Sequence, residues 1–200
     1  MFRILGISGS ARKRSFNSAL IRAAIEILPE GLRLENHDVS GFPLFNEDLE
    51  AELPMTVKKF KEKIRAVDGV LFATPEYNYS ISAVLKNAVE WGNRPDGDNS
   101  WEGKPVAIMS ASASPRGGAR AQLHLRQILV DLDMYPINQP QLLVANADEK
   151  FDDNLRLTDQ RSRQVLREML VALAQWGRRL HPIFPDIGDQ RAAAGTAILN

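Results

Sequence analysis

The sequence contains no cysteine, carries no net charge and has no long apolar run. The absence of cysteine excludes disulfides, thiolate metal ligands and cysteine nucleophiles. Lysine plus arginine equals aspartate plus glutamate, 25 of each, so net charge does not favour a nucleic acid or a membrane surface as partner. No apolar segment approaches the roughly 20 residues of a membrane span. Gly6 to Ser10 interrupt the first apolar run, so we predict no signal peptide and expect a soluble, cytoplasmic protein.

The remaining composition is that of one globular domain. Two hundred residues, 44% of them hydrophobic, are enough to bury a full core. The apolar patterns end near residue 181, and proline, glycine and alanine are frequent after Pro182. We therefore predict a single domain over residues 1–181 and a C-terminal tail over residues 182–200.

Strand and helix patterns alternate along this domain. Strands are predicted, in chain order, within residues 4–7, 33–39, 70–73, 105–110 and 135–144. The stretches between them carry apolar residues at helical spacing, and the last helix is predicted over about 159–180. The second strand alternates weakly and is placed at the sheet edge, while Pro136 and Pro140 favour an edge position or interruptions for the fifth. The alternation predicts an α/β three-layer sandwich with a five-stranded parallel sheet.

The first strand leads into a loop of small and basic residues, 8–17, that opens onto a helix. The first N–H groups of a helix are unpaired and lie at the positive end of its dipole, so this position suits an anion. Side-chain donors can come from Ser10, Arg12, Ser15 and Asn17. We predict that this loop binds one phosphate and that Lys13 and Arg14 are exposed. The alternative is a helix start whose polar side chains cap only their own backbone.

Two more loops of unusual composition follow predicted strands, at 75–80 and 112–118. Ligands of open α/β sheets bind beyond the carboxyl ends of strands, near the point where strand order reverses. The 75–80 loop offers a proline, two tyrosines and an amide, which suits a flat heteroaromatic ring, and Gly117-Gly118 permits close backbone approach. A phosphate at one end and a ring at the other describe FMN better than a sugar phosphate. The alternatives are packing roles for the tyrosines and a simple turn at the glycine pair.

Several other sites are excluded by spacing. Gly6-Ile7-Ser8-Gly9-Ser10 lacks the second glycine of a nucleophile elbow. No Gly-Lys-Ser/Thr follows it, and the glycines do not fall at the spacing of the dinucleotide fingerprint. The three histidines are far apart and without metal-ligand spacing, so no metal site is predicted.

The loop residues and their neighbours resemble a known family. The segments that carry the resemblance are Gly9-Ser10-Ala11-Arg12-Lys13-Arg14-Ser15-Phe16-Asn17, Pro75-Glu76-Tyr77-Asn78-Tyr79-Ser80, Leu85-Lys86-Asn87-Ala88, Trp91 and Gly117-Gly118-Ala119-Arg120. Over roughly residues 3–180 the chain resembles the NADPH-dependent FMN reductases, most of all their soluble quinone and chromate reductase branch. Ser82-Ala83 stands where many members have Pro-Gly.

The resemblance implies a flavodoxin-like fold, a noncovalently bound FMN and a homodimer or homotetramer. It implies phosphate contacts from Ser10, Arg12, Ser15, Phe16 and Asn17. It implies ring contacts, many through backbone, from Pro75, Glu76, Tyr77 and Asn78. The other edge of the ring would be closed by Ser112, Gly117 and Gly118.

The expected function is that of an FMN-dependent NAD(P)H oxidoreductase with a ping-pong mechanism. Hydride passes from NADPH or NADH to N5 of FMN and then to a quinone or a similar small acceptor, such as chromate, an azo compound or free flavin. Because the flavin carries the chemistry, no catalytic side chain is assigned. Acceptor contacts are expected from Phe45, Tyr79, residues 93–104 and Arg116. The alternatives are a non-catalytic flavin-binding or flavodoxin-type electron-transfer protein and a sugar-phosphate or nucleotide-binding enzyme.

Overall fold

The computed structural model describes residues 1–181, which form six strands and five helices. The strands are β1 (Phe2–Ser8), β2 (Leu32–His37), β3 (Gly69–Ala73), β4 (Pro105–Ala111), β5 (Tyr135–Pro136) and β6 (Leu142–Val144). The helices are α1 (Phe16–Glu26), α2 (Met55–Ala66), α3 (Ala83–Asn93), α4 (Ala119–Asp131) and α5 (Gln160–Leu180). The tail predicted over residues 182–200 lies outside the described residues.

The strands form one parallel sheet in the order β2-β1-β3-β4-β5, with β6 also paired to β4. β5 pairs with Pro105 and Val106 at the start of β4, and β6 pairs with residues 109–111 at its end. The predicted fifth strand is therefore present but interrupted, since the residues between the two pieces include Pro140, which has no N–H to donate to a ladder. The parallel α/β sandwich and the edge position of β2 are confirmed.

Helices cover both faces of the sheet. One core cluster packs α1 and α5 against side chains such as Ile4 and Leu71. The other packs α2, α3 and α4 against the alternating neighbours Leu5 and Phe72. Because β1 and β3 are apolar on both faces, the sheet is buried on both sides, as a parallel sheet requires.

The parallel direction gives the sheet two different edges. β1, β3, β4 and β6 all end at one of them, here called the carboxyl edge, and α1, α3 and α4 begin near it. The opposite, amino edge holds the segment 94–104, which joins the end of α3 to the start of β4. The segment predicted to contact the acceptor, residues 93–104, therefore lies at the edge opposite the ends of β1, β3 and β4. Phe45 lies edge-on against Trp91 in the last turns of α3, with ring centroids 5.0 Å apart, so it too lies towards the amino edge.

Among the described residues, no helix has both the length and the apolar character needed to cross a bilayer.

Candidate functional site

The three predicted loops lie side by side at the carboxyl edge, because backbone bonds join their first residues to neighbouring strands. The N–H of Gly9 donates to the carbonyl of Ala73 at 2.9 Å, and the N–H of Thr74 donates to the carbonyl of Met109 at 3.0 Å. These bonds place the first loop (8–17) beside the second (75–80), and the second beside the third (112–118).

The start of α1 has open backbone donors. Ser15 is its N-cap, and the Ser15 Oγ accepts a bond from the N–H of Ser18 at 3.2 Å. Within the described residues, the N–H groups of Phe16 and Asn17 have no hydrogen-bond acceptor. The first turn contains no acidic residue, and Arg12 in the preceding loop is exposed, with no ion pair or side-chain bond to the described residues. Open donors, the helix dipole and a nearby cation together suit an anion.

The side chains of Phe16 and Asn17 are engaged elsewhere. The amide of Asn17 exchanges two hydrogen bonds of 3.0 Å with the backbone N–H and carbonyl of Ala111. The ring of Phe16 packs against Phe151, with centroids 5.1 Å apart. The oxygen and one N–H of the Asn17 side-chain amide are therefore used within the fold, while the backbone N–H groups of both residues have no acceptor among the described residues.

The other polar side chains of the first loop differ in whether their hydrogen-bond donors are used within the fold. Ser10 Oγ accepts weakly from the N–H of Arg12 at 3.4 Å, so the hydroxyls of Ser10 and Ser15 both retain a proton to donate. Lys13 and Arg14 are exposed, as predicted. Arg14 donates to the carbonyl of Asp153 at 2.9 Å, which ties the loop to the segment before α5.

The second loop contains a tight turn over residues 77–80. Tyr77 and Ser80 exchange two backbone bonds of 3.0 Å, and the two residues between them have positive φ, 48° at Asn78 and 70° at Tyr79. This is the pattern of a type I′ turn, which usually requires glycine at its second position. Tyr77 and Tyr79 are 48% and 66% exposed, so neither fills the core. Pro75, by contrast, is buried.

The carboxylate of Glu76 occupies the start of α4. It accepts bonds from the backbone N–H groups of Arg120 at 3.0 Å and Ala121 at 3.4 Å, and from the Nε of Arg120 at 2.6 Å. Burial raises the pKa of Glu76, but these bonds outweigh burial and the net pKa is lowered. The N–H of Ala119 is paired as well, with the carbonyl of Arg116 at 3.2 Å. The start of α4 is thus already filled by an anion from the chain itself, whereas the start of α1 is open.

The third loop depends on its two glycines. Gly117 and Gly118 have φ of 60° and 87°, and a Cβ on Gly118 would lie 2.7 Å from the Cβ of Ser110. Ser110 Oγ donates to the carbonyl of Gly117 and accepts from the Nε2 of Gln122 at 2.8 Å. Ser112 Oγ accepts from the N–H of Ser114 at 3.1 Å. The buried pair Ser110 and Gln122 was missed by the sequence analysis, although Gln122 is the polar member of the apolar face of α4.

Clusters of metal-binding side chains are absent from the described part of the chain. No group of three or more histidine, aspartate and glutamate side chains is arranged there to hold an ion.

Comparison with known proteins identifies the family. The model of the NADPH-dependent FMN reductases matches residues 2–149. The chain is 50% identical over 179 residues to an NAD(P)H-dependent FMN reductase of Pseudomonas aeruginosa, covering 89% of this chain and 96% of that one. It is 43% identical over 187 residues to an NADPH:quinone oxidoreductase of Arabidopsis thaliana, covering 90% and 94%. Among solved structures it is similar to FerB, a flavoenzyme NAD(P)H:acceptor oxidoreductase from Paracoccus denitrificans, with a TM-score of 0.80, 32% identity and coverage of 90% and 98%. The chain belongs to the NADPH-dependent FMN reductase family, flavodoxin-like oxidoreductases that use FMN and NAD(P)H.

Proposed function

We propose that the carboxyl edge binds FMN noncovalently, with its phosphate at the start of α1. The observation that carries this proposal is the pair of N–H groups at Phe16 and Asn17, which have no acceptor among the described residues, together with the Arg12 guanidinium in the preceding loop, which has no ion pair there. The hydroxyls of Ser10 and Ser15 add two donors to the same loop. The start of α4 is not a competing phosphate site, because Glu76 would repel an anion there.

We propose that the isoalloxazine ring lies between the second and third loops. The N–H groups of Glu76 and Asn78 have no acceptor within the described residues, so they are available to oxygen and nitrogen atoms of the ring. The residues assigned to the ring on this side are Pro75, Glu76, Tyr77 and Asn78. On the other side they are Ser112, Gly117 and Gly118.

The proposed reaction is the transfer of hydride from NADPH or NADH to a quinone or a similar small acceptor. The redox chemistry is supplied by FMN when bound, through hydride exchange at its N5. The nucleotide and the acceptor occupy the same open face in turn, which is a ping-pong order. The chain binds and orients the reactants, and the single carboxylate of the three loops, Glu76, is engaged by α4, so we assign it no role as acid or base.

We also propose that the enzyme is a cytoplasmic homodimer or homotetramer. Leu123 and Val130, two turns apart on α4, are 65% and 80% exposed, and such apolar exposure on one helix face is typical of an interface. Light scattering after gel filtration should give a mass of two or four chains, and a single chain would overturn this proposal.

The experiment that tests the function is an anaerobic titration of the FMN-loaded protein with NADPH, followed by turnover with a quinone. Bleaching of the flavin absorbance and continuous NADPH oxidation are expected. Flavin binding without NADPH oxidation would favour an electron-transfer protein instead. A colourless protein that takes up no FMN would favour a sugar-phosphate or nucleotide enzyme.

A further inference from the structure

The turn of the second loop has a conformation that its own sequence does not favour. Asn78 and Tyr79 both have positive φ, and a residue with a bulky side chain rarely adopts this region. Type I′ turns reach this shape with Asn-Gly rather than Asn-Tyr. A strained backbone persists only where its surroundings hold it, and such strain is concentrated at functional sites. The contacts that hold this turn are therefore of functional interest.

One residue of α4, Arg120, contacts the turn from two directions. Its guanidinium pairs with the carboxylate of Glu76, which precedes the turn and is only 9% exposed. The same guanidinium lies over the ring of Tyr79, 3.5 Å from the ring centroid, a cation–π arrangement. At the far end, Ser80 Oγ and His124 Nδ1 are 2.9 Å apart, which gives the turn a second link to α4.

The carboxylate of Glu76 does not need Arg120 for its burial, because two backbone N–H groups of α4 also bind it. The distinctive contribution of Arg120 is its contact with Tyr79. Tyr79 is 66% exposed with this contact in place. A planar guanidinium can pair with a carboxylate and stack on an aromatic ring at once, and an ammonium cannot.

We propose that Arg120 is a positioning residue, which holds the 77–80 turn in the shape that receives the flavin ring by pairing with Glu76 and stacking on Tyr79. The inference rests on the proposed FMN site. It assigns Arg120 no contact with the cofactor. Its effect on FMN reaches the flavin through the backbone of the turn, and it depends on the contact between the guanidinium and the side chain of Tyr79.

The test is FMN affinity, measured by quenching of FMN fluorescence on titration of the apoprotein, for Arg120→Gln, Arg120→Lys, Tyr79→Leu and Tyr79→Phe. Arg120→Gln and Tyr79→Leu should each raise the Kd about tenfold, the equivalent of one lost charged interaction. Arg120→Lys should recover part of this loss, because it keeps the charge but not the planar face. Tyr79→Phe keeps the aromatic face under the guanidinium, so its Kd should rise less than that of Tyr79→Leu. In the double variant Arg120→Gln/Tyr79→Leu the Kd should rise less than the product of the single effects.

The matched control is Arg22→Gln, an exposed arginine on α1, which should leave the Kd unchanged. An unchanged Kd in Tyr79→Leu, an exposed position where the fold tolerates substitution, would overturn the proposal, and so would independent effects in the double variant. If the wild type binds no FMN, the proposed function fails as a whole. If it binds FMN and oxidises NADPH while all four variants bind equally well, only the role of Arg120 fails.

Discussion

The two edges of the sheet differ in whether the backbone groups at the helix ends are paired. At the amino edge, the last carbonyls of α2 and α3 are capped by buried lysines. Lys104 Nζ donates to the carbonyls of Arg65 and Val67, at 3.2 and 2.8 Å. Lys61, on α2, is only 2% exposed, and its Nζ donates to the carbonyls of Gly92 at 3.3 Å and Asp98 at 2.7 Å.

The carboxyl edge is left open instead. The first N–H groups of α1 have no partner among the described residues, and glycines bring backbone close to the loops that surround them. Helix ends always carry unpaired groups, negative at the C-terminus and positive at the N-terminus. Lysines pair with the last carbonyls of α2 and α3, whereas the first N–H groups of α1 have no acceptor among the described residues. The amino edge, whose helix carbonyls are paired within the chain, stabilises the fold, and the carboxyl edge is where we propose that FMN binds.

The largest expected effect comes from removing the amino-edge cation with Lys61→Met, which keeps most of the side-chain length. The variant leaves buried carbonyls without a donor and breaks an ion pair with Asp98 of 3.2 Å, so unfolding should be easier by about 3 kcal/mol. Urea denaturation measures it, with exposed Lys59→Met on the same helix as the control. The Kd for FMN should not change. A large rise in this Kd would contradict the view that the amino edge stabilises the fold without contributing to FMN binding.

The next effect is that of Gly118→Ala at the carboxyl edge. The new Cβ would lie 2.7 Å from the Cβ of Ser110 at a φ of 87°, so we expect a loss of about 2 kcal/mol in stability together with weaker FMN binding. Gly31→Ala is the matched control, because it has a similar φ of 79° and nothing within 4 Å. Thermal unfolding and FMN titration of both variants separate the free-energy cost of a positive φ, which both share, from the cost of the steric clash, which only Gly118→Ala creates. Equal FMN binding in the two variants would contradict a role for the third loop.

Removal of the loop cation with Arg12→Ala should weaken the binding of FMN by roughly 1–3 kcal/mol, the range for a lost charged hydrogen bond. Stability should hardly change, because Arg12 is exposed and has no side-chain partner among the described residues. Isothermal titration with FMN measures the effect, and Arg22→Ala, at an exposed position on α1, is the control. Wild-type affinity in Arg12→Ala would remove this residue from the site.

The smallest effect concerns acid at the carboxyl edge. Since the fold lowers the pKa of Glu76, the ionised carboxylate stabilises the protein above its ordinary pKa, and this stability is lost as pH falls through the folded-state value. Glu76→Gln should therefore lower the Tm of the apoprotein by about 2–4 °C near neutral pH and by less in acid. Glu102→Gln, an exposed carboxylate at the amino edge, serves as the control. A Tm difference that does not vary with pH would argue against the pairing of the ionised Glu76 carboxylate with the start of α4.

Local patterns predicted the elements well and the long-range contacts poorly. The apolar run at 70–73 and the helical spacing before Leu180 were sufficient to place β3 and α5. The contacts of the segment 94–104 were not predicted, because its proline, glycine and aspartate are typical of an exposed loop, while its partners lie far away in the sequence. Trp101 within it is fully buried, and its Nε1 donates to the carbonyl of Val89 at 3.0 Å. No pattern within the segment indicates which carbonyl or which lysine will meet it.

The sequence by itself determined the alternation of strands and helices, the three loops and the likeness to a reductase family, because hydrophobic periodicity, glycines and loop motifs are local properties of the chain. Only the tertiary structure decided how each polar group is used. In the structure the amide of Asn17 bonds to Ala111, and Glu76 binds the first N–H groups of α4. The first N–H groups of α1 have no acceptor among the described residues. These outcomes depend on which donors and acceptors the parallel sheet brings within about 3 Å of one another, and such partners lie tens of residues apart in the chain.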